Sequence, residues 1–284
     1  MGTLLGPVGV ALPVSFTETR SIDVLRDAVV RLERAGYHAV WTNEVIGKDA
    51  LVQVAVLLAA TDRITFGTCI ANIWAREPQT THGAAALLAQ AYPGRFVLGI
   101  GVGHPEQAAA VGREFGSPLA TMRDYRTRMD SPTAPPAPDV AYPTIIAANG
   151  PKMLALAGEI ADGALPAGLP PEYTAQARRI LGPDKLLVVG MSVDVDRTAA
   201  RERAVASLDR PAYAAAVARL GYRTDDVSDQ LVDALVAHGD PEAVAATVRE
   251  HIAAGADHVT LLLPIGIDFA VGLARLEQLA PALT

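Results

Sequence analysis

The chain has 284 residues, half of them hydrophobic, and a formal net charge of -7. Its length suits two small domains or one large α/β barrel, and an acidic chain without a basic cluster argues against a nucleic-acid surface. Cys69 is the only cysteine, which excludes an internal disulfide. The N-terminus has no basic leader, and no apolar run reaches the roughly 18 residues of a membrane span. We therefore expect a soluble cytosolic protein.

Short apolar runs bounded by glycine, proline or small polar residues recur along the chain. Such runs are typical of fully buried strands. The clearest is 96–100, which is followed by the glycines at 101 and 103. The eight predicted strands are 8–14, 38–42, 64–71, 96–100, 144–148, 163–166, 186–193 and 258–264.

Helical patterns separate these strands, and several begin with recognisable start signals. Ser21 and Asp240 are suitable N-caps, and Pro78 is suitable as the first residue of a helix. The predicted helices are 22–35, 50–60, one from 78, 119–129, one from 151, one from about 170, 240–255 and 268–279.

Eight alternating strand and helix patterns predict a parallel (β/α)8 barrel, the TIM barrel. A doubly wound open sheet is the competing architecture. The stretch between predicted strand seven and Asp240 is too long for one crossover helix, so we interpret about 196–239 as a helical insertion. The expected organisation is a single domain over 1–284 with this insertion.

In such a barrel, the chemistry lies on the loops that follow the strands. Asn149, Gly150 and Pro151 form one of these loops and open a helix, whose free N–H groups and dipole favour an anion such as a cofactor phosphate. An ordinary strand-to-helix turn is the alternative explanation for the same residues.

Glu44 and His104 follow predicted strands two and four and are the titratable candidates for proton transfer. The same two residue types could ligate a metal, but no His-x-His motif or carboxylate cluster supports one. Four other histidines, 82, 238, 251 and 258, are predicted to lie in or beside helices as structural or surface residues. The glycines at 99, 101 and 103 do not have the spacing of a dinucleotide fingerprint, and Pro105 interrupts the expected helix opening.

Several motifs together resemble the luciferase-like monooxygenase superfamily of flavin and deazaflavin barrels. The chain looks most similar to actinobacterial coenzyme F420-dependent oxidoreductases. Its stretch Gly-Arg-Phe-Val-Leu-Gly-Ile-Gly, followed later by Gly-Pro-Lys-Met-Leu, is a specific combination. The matching segments are 64–76, 93–104, 118–125, 147–154, 157–163 and 255–259.

This resemblance implies a cofactor at the carboxyl ends of the strands. The ring would rest on a bulge of strand three, often with a non-prolyl cis peptide, here within Cys69, Ile70 and Ala71. The loop after strand four would border the ring and substrate, and the loop after strand five would hold the phosphate. The implied cofactor-binding residues are Cys69, Ile70, Ala71, Asn72, Gly101, Val102, Gly103, Ala148, Asn149, Gly150, Pro151 and Leu165.

The family also implies polar groups after strand two, at the reacting edge of the ring. Several deazaflavin dehydrogenases carry Asp-His there, whereas this chain carries Asn43 and Glu44. We therefore expect Asn43, Glu44 and His104 to be the catalytic residues, with His104 or Glu44 as the proton donor. The connector before strand five is shorter than in the family, which predicts a more open pocket.

The expected activity is hydride transfer between F420 and a small organic substrate. An FMN-dependent monooxygenase that uses O2 is the first alternative. A barrel that binds its cofactor without turnover is the second, and a metal-dependent hydrolase or isomerase is the third. No metal, nucleic acid or membrane is expected as a partner, and a homodimer is compatible with the apolar composition.

Overall fold

The computed structural model describes residues 5–284 of the chain. Strands and helices alternate along this range, and most strands are buried over their whole length. The strands are β1 Val8–Ala11, β2 Ala39–Thr42, β3 Thr65–Thr68, β4 Ala71–Asn72, β5 Phe96–Gly101, β6 Thr144–Ala147, β7 Gly163–Leu165, β8 Leu186–Ser192 and β9 His258–Leu262.

The strands form a closed parallel barrel with eight strand positions. Every described pair is parallel, and the order is β3-β2-β1-β9-β8-β7-β6-β5-β4. The pairing of β3 with β5 closes the barrel. The short strand β4 also pairs with β5, so β3 and β4 together occupy one of the eight strand positions. This closure confirms the predicted (β/α)8 barrel and excludes the open doubly wound sheet.

Helices surround the barrel and begin at the expected signals. The side chain of Ser21 accepts a hydrogen bond from Val24 N, and that of Asp240 accepts one from Ala243 N, so both predicted N-caps are confirmed. The helices are α1 Ile22–Arg34, α2 Ala50–Leu58, α3 Pro78–Ala91, α4 Pro105–Ala109, α5 Pro118–Met129, α6 Pro151–Ile160, α7 Pro171–Leu181, α8 Arg197–Leu208, α9 Pro211–Ala218, α10 Asp229–Leu235, α11 Pro241–Ala253 and α12 Phe269–Leu283.

The segment interpreted as an insertion contains three helices. In this segment α8 packs against both α9 and α10, and α11 then resumes the alternation with β9. The division of the chain into a single domain with this insertion stays a prediction.

Apolar side chains form two layers, one between the sheet and the helices and one inside the barrel. The inner layer contains Trp41, which excludes any side chain at Gly67: a β-carbon there would lie 2.2 Å from the indole ring. The buried members of the inner layer are Leu5, Ala11, Ala39, Trp41, Val97, Ile145, Leu165, Leu186 and Val188.

His258 completes this inner layer as a neutral side chain. Its Nδ1 donates to Gly6 O at 2.8 Å, so its Nε2 accepts the hydrogen bond from Trp41 Nε1 at 3.0 Å. Burial lowers the pKa of His258 to about 4. His258 begins β9, which confirms the start of the predicted strand 258–264, and its ring packs against Trp41 of the inner layer rather than on a helix surface.

Two other local expectations are corrected. Predicted strand three is interrupted: β3 ends at Thr68, β4 begins at Ala71, and the peptide bond between Cys69 and Ile70 in the intervening segment is cis. Pro105 does not prevent a helix from opening; it is the first residue of α4, where the missing N–H costs no hydrogen bond.

Within residues 5–284, no helix is both long and apolar enough to cross a membrane.

Candidate functional site

Residues of four neighbouring strands form a row across the mouth of the barrel. Asn72 pairs with Gly101 between β4 and β5. Gly101 lies beside Ala147 because the preceding residues of β5 and β6 are in register. Ala147 pairs with Leu165 of β7. The fold therefore brings together predicted cofactor residues that are up to 93 positions apart in the sequence, from 72 to 165.

The cis peptide lies at the end of this row, within the segment where the family resemblance placed it. Cys69 N donates to Thr42 O at 2.8 Å, and Glu44 N donates to Ile70 O at 3.1 Å. These bonds fix the loop after β2 against the bulge between β3 and β4. Predicted residues from both segments thus lie next to each other.

Two glycines allow close packing of the chain at the mouth. A β-carbon at Gly101 would lie 3.0 Å from the side chain of Ile70 and 3.2 Å from the β-carbon of Ala147. Gly103 has a φ of +57°, which favours glycine, and a β-carbon there would collide with Gln107. At both positions the space that a side chain would need is already filled, so glycine allows this close packing.

Asn72 presents an unused donor beside these glycines. The side chain is buried, and its Oδ1 accepts a hydrogen bond from Trp74 N at 3.0 Å. Among residues 5–284, its Nδ2 has no hydrogen-bond partner, and it lies 3.5 Å from the position of a β-carbon on Gly103. An unpaired buried amide costs free energy unless a ligand accepts its hydrogen bond. The residues at the mouth therefore fit the polar edge of a flavin or deazaflavin ring.

Glu44 is the most heavily bonded of the predicted catalytic residues. Its carboxylate accepts hydrogen bonds from Ala50 N at 2.9 Å, from Asn72 N at 2.8 Å and from both terminal nitrogens of Arg76. Although burial opposes the charge on Arg76, its hydrogen bonds to Glu44 and Asp49 raise the pKa of the guanidinium. Glu44 thereby joins the start of α2 to β4. Its proposed role in proton transfer stays a prediction.

Asn43 and His104 lie on either side of the β3–β4 bulge. The Oδ1 of Asn43 accepts a hydrogen bond from Lys48 Nζ at 2.9 Å. His104 is exposed, and its backbone N–H donates to Gln107 Oε1 at 2.9 Å at the start of α4. Within residues 5–284, no hydrogen bond joins His104 to Asn43 or Glu44, so the fold does not unite the three catalytic candidates into one network.

The predicted phosphate loop connects two strands. The side-chain amide of Asn149 donates to Ala167 O at 3.0 Å and accepts from Ala167 N at 2.8 Å, which joins the ends of β6 and β7. Gly150 is the N-cap of α6, Pro151 is its first residue, and nothing lies within 4 Å of a β-carbon on Gly150. The positive end of α6 thus faces open space, which suits a phosphate.

The environment of Cys69 keeps its thiol protonated. Burial raises the pKa of Cys69 to about 12, and the nearby ammonium of Lys48 only partly opposes this shift. In the part of the chain that the structure describes, no group of three or more His, Cys, Asp and Glu side chains converges as a metal site would require.

Lys48 is a feature that the sequence-based interpretation missed. It is half-buried in the loop after β2 and borders a cavity of about 350 Å³. A signal was available, because the chain has only three lysines and this one follows a strand end rather than lying on a helix surface.

Comparisons with known proteins place the chain among enzymes with related cofactors. A Mycobacterium tuberculosis protein whose name refers to a coenzyme F420-dependent oxidoreductase is 30% identical over 49% of this chain and 50% of its own length. A 5,10-methylenetetrahydromethanopterin reductase of Archaeoglobus fulgidus is 26% identical over 83% of this chain and 88% of its own. The chain spans about half the length of the first two curated relatives it matches.

Solved structures share the fold over nearly the whole chain. An F420-dependent secondary alcohol dehydrogenase in complex with an F420-acetone adduct has a TM-score of 0.74 and 18% identity, with coverage of 98% and 99% of the two chains. The FMN-bound oxygenating constituent of 3,6-diketocamphane monooxygenase from Pseudomonas putida has a TM-score of 0.71 and 16% identity, with coverage of 97% and 99%.

The model of the family described as luciferase-like monooxygenase matches residues 7–258. Together with the closed barrel, this match shows that the chain belongs to the luciferase-like monooxygenase family, whose members are F420- or FMN-dependent oxidoreductases and monooxygenases.

Proposed function

We propose that this protein is an F420-dependent oxidoreductase that transfers hydride between the deazaflavin and a small organic substrate. The observation that carries the proposal is the row of Asn72, Gly101, Ala147 and Leu165 across the barrel mouth, with one unpaired buried amide in it. The name of the matched Mycobacterium tuberculosis relative refers to F420, which supports this cofactor.

The two ends of the cofactor would contact different parts of the site. The ring would lie over Gly101 and against the Cys69–Ile70 bulge, with Nδ2 of Asn72 as a donor to its polar edge. The phosphate would lie at the start of α6, where Gly150 leaves room and the helix dipole favours negative charge.

When bound, F420 supplies the two-electron chemistry, whereas the protein supplies binding, orientation and exclusion of water. His104 is exposed at the edge of the mouth, and we assign it the transfer of a proton to or from the substrate. Glu44 is already bonded to two backbone N–H groups and Arg76, so in this proposal it keeps the ring-binding strand in position.

An equilibrium titration of the purified protein with F420 and, separately, with FMN tests the assignment by fluorescence. We expect micromolar or tighter binding of F420 and weaker binding of FMN. Hydride transfer is then checked by the bleaching of oxidised F420 across a panel of alcohols and other small substrates. Failure to bind F420 would contradict the proposal, and binding without bleaching would favour a barrel without turnover.

An FMN-dependent monooxygenase is the second candidate. It is favoured by the likeness to the FMN-bound monooxygenase structure, because the unused donor of Asn72 and the start of α6 would suit either ring and either phosphate. FMN preference in the titration, with oxygen consumption in the presence of reduced FMN, would select this candidate.

Three expectations about the surroundings of the protein stay predictions. They are its cytosolic location, a homodimeric state and the absence of nucleic-acid partners. Cell fractionation, sedimentation and a filter-binding assay with DNA and RNA would test them in turn.

A further inference from the structure

A cavity lies beside the mouth of the barrel, between the loops that follow β1 and β2 and the start of α12. Its volume is about 350 Å³, within the range of small-molecule sites. Leu12, Phe16 and Phe269 give it apolar walls, and Arg20 and Lys48 add two cationic side chains.

The two cations differ in their partners. Arg20 forms an ion pair with Glu18 and lies over the ring of Phe269, so its charge is balanced within the wall. Lys48 donates one hydrogen bond, to the neutral Oδ1 of Asn43 at 2.9 Å. Throughout residues 5–284, no carboxylate oxygen lies within 4 Å of its ammonium nitrogen.

The acidic residues near Lys48 form their ion pairs with Arg76. Glu44 and Asp49 both pair with Arg76, on the side of the loop that faces α2 and β4. Burial lowers the pKa of Lys48, since its charge is partly withdrawn from water, with Cys69 and Glu44 opposing the shift. An ammonium group has three donors, so two remain for a ligand in the cavity.

The position of Lys48 relates the cavity to the cofactor site. Its partner Asn43 directly precedes Glu44, whose backbone N–H is bonded to Ile70 O in the bulge. A ligand held by Lys48 would therefore lie beside the bulge on which the cofactor ring is proposed to rest.

We propose that Lys48 binds the anionic group of the substrate, and that the substrate class is a small carboxylate with an apolar body. This inference rests on the proposed function, because it takes the cavity as the substrate side of the cofactor site. The carboxylate would accept the free donors of Lys48, and the apolar body would lie against Leu12, Phe16 and Phe269.

Calorimetric titration with hexanoate and with hexanamide, in the absence of cofactor, tests the inference. The two probes share an apolar chain and differ in charge. We expect the wild-type protein to bind hexanoate at least tenfold more tightly than hexanamide. Lys48→Met should lose this preference, whereas Lys48→Arg should retain it because the charge remains.

Lys185→Met is the matched control, since Lys185 also donates to one neutral oxygen, Ala161 O at 2.7 Å, but precedes β8 at the opposite end of the barrel. It should bind hexanoate like the wild type. Circular dichroism checks that each variant is folded. Equal hexanoate affinity in the wild type and Lys48→Met, or no preference for hexanoate in the wild type, would overturn the inference.

A parallel titration with F420 separates this inference from the proposed function. If the wild type discriminates hexanoate but does not bind F420, the oxidoreductase assignment fails and the anion site at Lys48 stands. If Lys48→Met weakens F420 binding and leaves hexanoate binding unchanged, the lysine serves the cofactor and the inference is overturned.

Discussion

His258 inside the barrel and the side chains of Asn72 and Lys48 at its mouth differ in how completely their polar atoms are hydrogen-bonded. Inside, both ring nitrogens of His258 are used, one by Trp41 and one by Gly6, and the apolar layer is closed around them. At the mouth, Nδ2 of Asn72 and the ammonium of Lys48 lack full sets of partners. The difference indicates that His258 contributes to stability, whereas Asn72 and Lys48 keep donors available for a ligand.

The comparison predicts that a methyl group added inside the barrel lowers the free energy of unfolding. Gly67→Ala should lower the free energy of unfolding by about 3 kcal/mol, because the new β-carbon would lie 2.2 Å from the ring of Trp41. Urea unfolding measures the change. Gly83→Ala is the matched control in α3, where nothing lies within 4 Å, and it should stabilise by about 0.5–1 kcal/mol. Equal stabilities of the two variants would show that the inner layer is not tightly packed.

At the mouth, the loss of a functional side chain should lower kcat. We expect His104→Ala to lower kcat about 100-fold, the usual scale for a lost acid–base group, with F420 affinity unchanged. Steady-state kinetics and the F420 titration measure the two quantities. Glu106→Ala, at a neighbouring exposed position of α4, should have wild-type kinetics. If kcat of His104→Ala is also unchanged, the proton donor lies elsewhere, and Glu44 is the next candidate.

The buried histidine of the inner layer should make stability depend on pH. Its pKa is about 4 when folded and 6.5 at its ordinary value, so between these pH values the unfolded chain binds more protons. Stability should therefore fall as the pH is lowered, by about 2 kcal/mol between pH 7 and pH 5 from His258 alone. Unfolding of the wild type and His258→Gln at both pH values measures this contribution. Parallel losses in the two proteins would contradict a neutral buried His258.

The smallest expected effect concerns the phosphate loop. Gly150→Asp should weaken F420 binding about tenfold, or about 1.4 kcal/mol, because it adds negative charge at the start of α6. Gly150→Ala is the neutral control and should retain the affinity, since its β-carbon meets no atom within 4 Å. Fluorescence titration measures both variants. Unchanged affinity in Gly150→Asp would remove this loop from the cofactor site.

Strong local signals made the barrel predictable. The buried run 96–100, the N-caps Ser21 and Asp240 and the alternation of strands with helices each depend on residues close in sequence. The family resemblance supplied the place of the cis peptide, which the structure confirms between Cys69 and Ile70.

The hydrogen-bond and ion-pair partners of each site residue were less predictable from the sequence. The position of Glu44 after a strand predicts a proton donor, but nothing local shows that Arg76, 32 positions away, is bonded to its carboxylate. For Lys48, the sequence shows its position after a strand but not its partners. Its lack of an acidic partner becomes visible only when the loops after β1 and β2 enclose a common cavity.

The sequence by itself determined the fold class, the family and the strand ends at which function is expected, because hydrophobic periodicity, caps and contiguous motifs are local properties. Only the tertiary structure decided which polar groups are paired and which remain available. Hydrogen bonding and burial depend on residues that barrel closure brings together, as it does for Asn72 beside Gly101 and for His258 beside Trp41. The same closure leaves Lys48 and Asn72 with unused donors at the mouth.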